Sequence, residues 1–149
     1  MLNKLQEVFK YFQKHNVKYV TIGGIAAVLH GVPRATFDLD ILIEATPENV
    51  QNLLDALIEA NFGTATMTNV ENILKNEITV FQDKVRIDVQ TSTPGLTFEI
   101  GWKNKKIMKY GKQEFYVVSL DDLIDSKSAA KRKIDLEDVQ LLKQRKAKK

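Results

Sequence analysis

The hydrophobic and polar positions of this chain alternate with two periods, one typical of helices and one typical of strands. Apolar side chains recur three and four positions apart in residues 2–15, which predicts an amphipathic helix. Residues 17–22 and 36–44 are rich in β-branched and aromatic side chains, which predicts two strands. Between these strands, a glycine pair precedes a short predicted helix over residues 25–30 that ends at Gly31.

Further elements follow the same two patterns towards the C-terminus. Thr46 before Pro47 is typical of a helix start, and this helix is predicted to run to about residue 62. Alternating apolar positions then predict strands in three segments, the last of them a hairpin that turns near Gly111: 77–82, 84–91 and 104–119.

Two helices are predicted to follow these strands. Ser119 and Asp122 are spaced as in a capping box and open a helix over residues 120–132, and Asp135 is expected to cap a final helix. The order of the elements predicts one α/β domain over residues 1–149, with a central mixed sheet flanked by helices.

Composition limits the kind of protein that carries these elements. The chain has 149 residues, of which 44% are hydrophobic, enough for one folded domain with a core. It contains no cysteine, which excludes disulfides, a thiolate nucleophile and a cysteine-ligated zinc site. The N-terminus lacks the apolar core of a signal peptide, and no apolar run approaches the ~20 residues that span a bilayer. A cytoplasmic protein without membrane association is therefore expected.

The net charge of +3 is unevenly distributed along the chain. Residues 143–149, KQRKAKK, hold basic side chains and no acid, and they are expected to fray from the final helix. These cations either attract a polyanion such as RNA or suit the negative end of a helix dipole, and the sequence leaves both interpretations open.

The candidate chemistry lies in TIGGIAAVLHGVPRATFDLDILIE, residues 21–44. Side chains alternate faces along a strand, so Asp38 and Asp40 share one face. Phe37 and Leu39 belong to the opposite, apolar face. Roughly 6.5–7 Å of backbone separates the two aspartates, so their carboxylates can converge on one cation or on a pair of cations about 3.5–4 Å apart. Hard oxygen ligands with no His or Cys nearby favour Mg²⁺ or Mn²⁺ over zinc.

Gly23 and Gly24 are placed to receive a phosphate beside this cation. A strand that ends in two glycines and opens into a helix leaves backbone N–H groups free at the positive end of that helix. Glycine also lets the backbone approach a ligand closely, because it has no Cβ. The sequence therefore predicts a triphosphate that is bound both by these amides and by the metal.

A third carboxylate would complete a two-metal site, and Asp88 is the candidate. It lies with Arg86 on the polar face of its predicted strand, so it can meet the aspartate pair if the two strands are neighbours. There it would hold a second metal and help to deprotonate an attacking hydroxyl. Asp83, in a predicted turn, and Glu77, at a strand start, are rival candidates that are better explained as solvated charges.

The order of these motifs resembles the hallmark of the polymerase-β-type nucleotidyltransferase superfamily, which is a glycine pair, then Asp-x-Asp, then an aspartate on a later strand. The matching positions are Gly23-Gly24, Asp38-Leu39-Asp40 and Asp88. The small single-domain prokaryotic members carry R-x-T-x-D-hydrophobic-D, to which Arg34 and Thr36 before the aspartates are similar. Their C-terminal block is similar to LDDLIDSKSAAKRKIDLEDVQLL of this chain. Some of these relatives are toxins or abortive-infection proteins that modify tRNA or another macromolecule.

The resemblance implies a nucleotidyltransferase fold and the transfer of a nucleoside monophosphate from an NTP to a hydroxyl of RNA or protein, with release of pyrophosphate. It implies that the metal ligands and catalytic residues are Asp38, Asp40 and Asp88. It also implies that the nucleotide lies near Gly23, Gly24, Arg34, Thr36, Lys127 and Lys131.

Two of these assignments leave alternatives open. Lys127 lies one turn before Lys131, so both are expected to share a helix face. The resemblance implies that they reach the triphosphate and that Asp135 orients one of them. The adjacent cations of residues 131–133 leave open which of them points inward. Arg34 either binds phosphate or forms a structural ion pair with an aspartate.

Two other functions fit parts of this pattern. A domain that binds nucleotide or RNA and acts through a partner, for example in a toxin–antitoxin pair, needs the site but not its chemistry. A nucleotide-sugar glycosyltransferase also uses an Asp-x-Asp metal site, although such domains are usually larger and leave the glycine pair unexplained. Neither a P-loop nor a Gly-x-Gly-x-x-Gly run is present in the sequence.

Overall fold

A computed structural model describes residues 2–148, which form a six-stranded mixed sheet flanked by helices. The strands are β1 (Tyr19–Ile22), β2 (Asp38–Ile43), β3 (Ile78–Gln82), β4 (Arg86–Gln90), β5 (Lys106–Tyr110) and β6 (Gln113–Val117). The helices are α1 (Leu2–Lys14), α2 (Gly23–Leu29), α3 (Pro47–Glu59), α4 (Val70–Lys75), α5 (Phe98–Asn104), α6 (Leu120–Ala130) and α7 (Lys133–Ala147). The mixed α/β architecture predicted from the sequence is confirmed.

Three short elements were not predicted from the sequence. They are α4, α5 and a 3₁₀ helix over Gly63–Met67. Asn69 caps α4 and Thr97 caps α5, each through a side-chain oxygen that accepts a backbone N–H. Helices of six or seven residues are too short to show a helical period, so only their caps mark them in the sequence.

The strand order is β3-β4-β2-β1-β6-β5. β2 lies at the centre, antiparallel to β1 on one side and parallel to β4 on the other. The C-terminal end of β1 therefore lies beside the N-terminal ends of β2 and β4, at one end of the central strands. Polar side chains from these three strand ends are brought together there.

One face of the sheet forms the core with α1 and α3. Leu39, Ile41 and Ile43 are fully buried on this face of β2. Phe9 of α1 stacks on Phe115 of β6, with ring centroids 4.6 Å apart. Burying aromatic and aliphatic side chains in this way is the main contribution that fixes the central strands.

The expectation that Phe37 belongs to this apolar face is wrong. β2 begins at Asp38, one residue later, and Phe37 is 74% exposed. The alternation rule applies only within a paired strand, and Phe37 precedes the first paired residue.

The two C-terminal helices pack against each other, and their boundary differs from the prediction. α6 opens as expected, with Ser119 Oγ accepting the Asp122 N–H at 3.2 Å. It ends at Ala130, because Lys131 adopts a left-handed conformation with φ of +62°. Arg132 is the N-cap residue of α7, so the prediction that Asp135 caps this helix is wrong.

The basic C-terminal segment is helical over most of its length. α7 continues to Ala147, so residues 143–147 do not form the expected frayed tail. Lys146 pairs with Asp121 of α6 at 2.7 Å. Lys149 lies outside the described residues. Across residues 2–148, no helix has both the length and the apolar character to cross a membrane.

Candidate active site

The three aspartates singled out in the sequence lie together on the polar face of two adjacent strands. The parallel register of β2 and β4 pairs Asp40 directly with Asp88 and pairs Asp38 with Arg86. The carboxyl groups of Asp40 and Asp88 are close enough to share a hydrogen bond. Asp83 and Glu77 are elsewhere and exposed; Asp83 accepts the Gly63 N–H at 3.1 Å.

The clustering of acids leaves an excess of negative charge at Asp40. Burial raises the pKa of Asp40, and the charge of Asp88, a hydrogen bond with Asp88 and the charge of Asp38 raise it further, to about 7. Lys127 opposes this rise in pKa but does not cancel it. A group in this environment is stabilised in its ionised form by any cation that binds between the carboxylates.

Arg86 provides part of the missing positive charge. Its Nε donates to Asp88 Oδ1 at 2.8 Å and lies 3.9 Å from Asp38 Oδ2. The hydrogen bond and charge of Asp88 raise the pKa of Arg86, so its guanidinium stays charged. The sequence alone places Arg86 only on the same strand face as Asp88, because its position between two carboxylates depends on the β2–β4 register.

The donor set suits a hard divalent cation. The residues that face one another here offer carboxylate oxygens without sulfur or imidazole, the ligands that Mg²⁺ and Mn²⁺ prefer. As arranged here, no group of three or more acidic or histidine side chains within residues 2–148 is set to hold a metal ion. The guanidinium of Arg86 lies between two of the three carboxylates, and it would have to shift for all three to share a cation.

The glycine pair lies directly against this acidic cluster. Gly23 has a φ of +70°, and a Cβ added there would lie 2.9 Å from Asp40 Cγ. A Cβ on Gly24 would lie 2.9 Å from Thr36 Oγ1 and 2.5 Å from Arg34 Nη2. Glycine therefore allows a close approach at both positions, and no side chain caps the N-terminus of α2.

A buried ionic network joins the glycine region to the C-terminal helices. Lys127 is only 5% exposed, and its Nζ lies 2.9 Å from Asp138 Oδ2 and 3.4 Å from Asp135 Oδ1. Arg34 Nη1 donates to the same Asp138 carboxylate at 3.0 Å. Of the two alternatives for Arg34, the ion pair with an aspartate is therefore present. Arg34 also lines the cleft, and phosphate binding by Arg34 stays a prediction.

Arg132, rather than Lys131, extends this network. Arg132 Nε donates to Asp135 Oδ2 at 2.7 Å and its side chain lines the cleft. Burial favours a raised pKa for Asp135, but the Arg132 hydrogen bond and the charges of Lys127 and Arg132 outweigh it and hold the pKa below its usual range. The expectation that Lys127 and Lys131 share a helix face is wrong, because α6 ends between them and Lys131 is exposed.

These groups surround one cleft with a volume of about 540 Å³. The sequence-predicted residues that line it are Gly23, Gly24, Arg34, Thr36, Asp38, Asp40, Asp88 and Lys127. Lys131 is absent from the lining. A cleft lined by both acids and cations can hold a polyphosphate through a bridging cation.

Asp138 is the principal site residue that sequence reasoning missed. It is 1% exposed and binds both Lys127 and Arg34. A signal was present, since Asp135 and Asp138 are three residues apart and in phase with the apolar positions Val139 and Leu142. Acids in phase with a buried stripe are expected to pair with buried cations.

The fold and this site define the class of protein. A mixed sheet that presents three aspartates on adjacent strands, beside a helix opened by two glycines, is the arrangement of a nucleotidyltransferase. A family model described as "Nucleotidyltransferase of unknown function (DUF6036)" matches residues 1–144, and the chain belongs to this family. The resemblance inferred from the sequence is confirmed at this level.

A solved structure supports the fold assignment. The chain is similar to a protein from Thermotoga maritima described as a presumed nucleotidyltransferase, with a TM-score of 0.57 and 15% sequence identity. The similarity covers 99% of this chain and 93% of that protein, so the two share the complete fold. None of the curated proteins matches this chain in sequence.

Proposed function

We propose that this enzyme transfers a nucleoside monophosphate from an NTP to a hydroxyl group of a macromolecular acceptor in the cytoplasm, with Mg²⁺ or Mn²⁺ and with release of pyrophosphate. The observation that carries the proposal is the placement of Asp38, Asp40 and Asp88 on two adjacent strands, beside the point where Gly23 and Gly24 begin α2. A domain that only bound nucleotide could hold its metal with Asp38 and Asp40 and would not need a third carboxylate beside them.

The residues divide into a phosphate side and a nucleophile side. The α2 amides follow β1, and Lys127 and Arg132 line the same cleft, where they would orient the β- and γ-phosphates. A divalent cation bound by the aspartates would neutralise charge on the phosphates. Asp88 lies on β4 and would take the proton of the acceptor hydroxyl. The oxygen of that hydroxyl attacks the α-phosphorus. The bond to the pyrophosphate oxygen breaks in the same displacement.

Binding and transfer test the proposal separately. Calorimetry with each NTP and Mg²⁺ is expected to show binding by the native chain and none by Asp38→Asn combined with Asp40→Asn. Labelled NTPs offered to total RNA and to cell protein are expected to label one of these acceptors, with pyrophosphate release. Asp55→Asn, on the exposed surface of α3, serves as the matched control.

Two results would contradict the proposal. Equal NTP binding by the native and double-variant proteins would remove the site assignment. Binding without transfer to either acceptor would identify the domain as a nucleotide-binding module that acts through a partner.

Gly24→Ala is expected to weaken NTP binding by roughly 10- to 100-fold, the loss expected when a charge-assisted hydrogen bond is removed. The new Cβ would displace the Arg34 guanidinium and the Thr36 hydroxyl, whereas the backbone of Gly24 does not have a positive φ and accepts alanine. Calorimetry on the folded variant measures the effect. Gly63→Ala is the control, because its added Cβ would meet nothing closer than Asp83 Oδ2 at 4.0 Å. An unchanged affinity in Gly24→Ala would show that the glycine does not position these groups.

A further inference from the structure

A second, smaller cavity adjoins the active-site cleft at the edge of the sheet. It has a volume of about 300 Å³, and the residues that matter for its chemistry are Lys4, Phe37, Asp38, Gln82, Lys84 and Arg86. Asp38 and Arg86 also line the main cleft. A single extended ligand can therefore occupy both cavities, with the candidate metal ligands between its two parts.

Phe37 gives this cavity an uncovered aromatic surface. Its side chain is 74% exposed, although it directly precedes the central strand β2. An exposed aromatic ring beside a cavity offers a flat apolar surface to a ligand that enters it. A flat partner would cover the ring by stacking, and nucleobases stack on aromatic side chains whatever their sequence.

The charges around Phe37 are mainly positive. Lys4, Lys84 and Arg86 line the cavity, and Asp38 is the acid in its lining. Lys84 lies 3.6 Å from Glu7, but both side chains are nearly half exposed, so this pair holds the lysine only weakly. A ring flanked by exposed lysines matches a nucleotide, which presents a base and a phosphate together.

The position of the cavity matches the acceptor side of the reaction. The glycine pair follows β1, and Lys127 belongs to α6, which follows β6 on the other side of β1 from β2, so the leaving pyrophosphate would remain on that side. The smaller cavity is instead bordered by Gln82 and Lys84, at the turn between β3 and β4. Asp88 of β4 lies on this same side. An in-line displacement requires the attacking hydroxyl to approach from the side opposite the leaving group.

We propose that this cavity binds the terminal nucleotides of a single-stranded nucleic acid, whose base stacks on Phe37 and whose phosphates contact Lys4 and Lys84. The inference rests on the proposed function, and it names the acceptor class for that reaction. The terminal hydroxyl of the strand would then lie near Asp38 and Asp88. A protein acceptor would gain little from a flat ring between lysines.

Fluorescence anisotropy with a short labelled single-stranded RNA, and with DNA of the same sequence, tests the proposal on the full chain. Phe37→Ala is expected to weaken binding of the strand by about 5- to 100-fold, the usual effect of losing one base–aromatic stack. Phe37→Tyr keeps the ring and is expected to bind like the native protein. Lys84→Gln is expected to weaken binding of all sequences. It is also expected to reduce the slope of log affinity against log salt concentration by about 1, as for the loss of one phosphate contact.

Met67→Ala is the matched control, because Met67 is an apolar side chain with 82% exposure that lies outside both cavities. Equal RNA affinity of the native and Phe37→Ala proteins would overturn the proposal, and so would an equal loss in Met67→Ala. Transfer of the nucleotide to protein alone would also overturn it, while leaving the proposed function intact. NTP binding measured by calorimetry on the same variants reports on the proposed function alone, and Phe37→Ala is expected to leave it unchanged.

Discussion

Replacing Asp40 by Asn is expected to abolish metal-dependent NTP binding and, in the metal-free protein, to raise the free energy of unfolding at pH 8. Both results follow from the same cause. The folded protein holds the pKa of Asp40 at about 7, above its ordinary value of 3.8, because the carboxyl is buried beside Asp88 and Asp38. Asparagine resembles the protonated carboxyl, so it relieves the repulsion but cannot attract a cation.

The sign of the pH dependence follows from proton binding. Below about pH 4 the Asp40 carboxyl is protonated in both the folded and the unfolded protein. Between pH 4 and 7 the unfolded chain releases this proton while the folded protein keeps it, so the contribution of Asp40 to stability falls as pH rises. Above pH 7 the full penalty remains, on the order of 2–4 kcal/mol for a shift of this size.

Urea denaturation from pH 5 to 8, with and without Mg²⁺, measures these effects. The native protein is expected to lose stability across this range without Mg²⁺ and to regain it when Mg²⁺ binds, since the metal requires the ionised carboxyl. Asp40→Asn is expected to show neither change, whereas Asp55→Asn is expected to behave like the native protein. The explanation fails if the Asp40 variant keeps the native pH dependence or responds to Mg²⁺ as the native protein does.

Replacing Asp138 by Ala is expected to lower the free energy of unfolding by about 3–5 kcal/mol, the cost of removing one partner from a buried ion pair. Asp138 is 1% exposed and binds Arg34 at 3.0 Å and Lys127 at 2.9 Å. Without it, the buried ammonium of Lys127 keeps only the longer contact to Asp135, at 3.4 Å. The freed cations are also expected to lose their fixed positions in the cleft and to bind NTP more weakly.

Chemical denaturation measures the stability, and a surface pair supplies the comparison. Asp121 pairs with Lys146 at 2.7 Å, but both side chains are mostly exposed. Asp121→Ala is therefore expected to cost less than about 1 kcal/mol. If the two variants lose similar stability, the network around Asp138 is not the structural link inferred from its contacts.

The aspartates were accessible to prediction because they belong to regular strands. Alternation along β2 places Asp38 and Asp40 on one face, and the same rule places Asp88 on the polar face of β4. The pairing of Asp40 with Asp88 could not be predicted, because it depends on which strands are neighbours and on their register. Side-chain periodicity within one strand contains no information about either.

The positions that were predicted wrongly lie where regular structure ends. Phe37 lies one residue before β2, and Lys131 lies at the left-handed residue that ends α6. Periodic patterns assign a face to such residues, although their backbones no longer follow the period. Asp138 was overlooked for a different reason, because its phase with Val139 and Leu142 indicates burial but its partner Arg34 is known only from the fold.

The ion pair between Arg34 and Asp138 joins residues that are 104 positions apart. During synthesis the segments that carry the aspartates and glycines emerge from the ribosome well before α7. Until α7 is present, Arg34 and Lys127 lack the Asp138 carboxylate that fixes their positions. The cleft is therefore completed only when α7 packs against α6 and places Asp138 beside Arg34 and Lys127. A chain that lacks α7 is expected to keep its aspartates and glycines but to lack the fixed positions of Arg34 and Lys127 in the cleft.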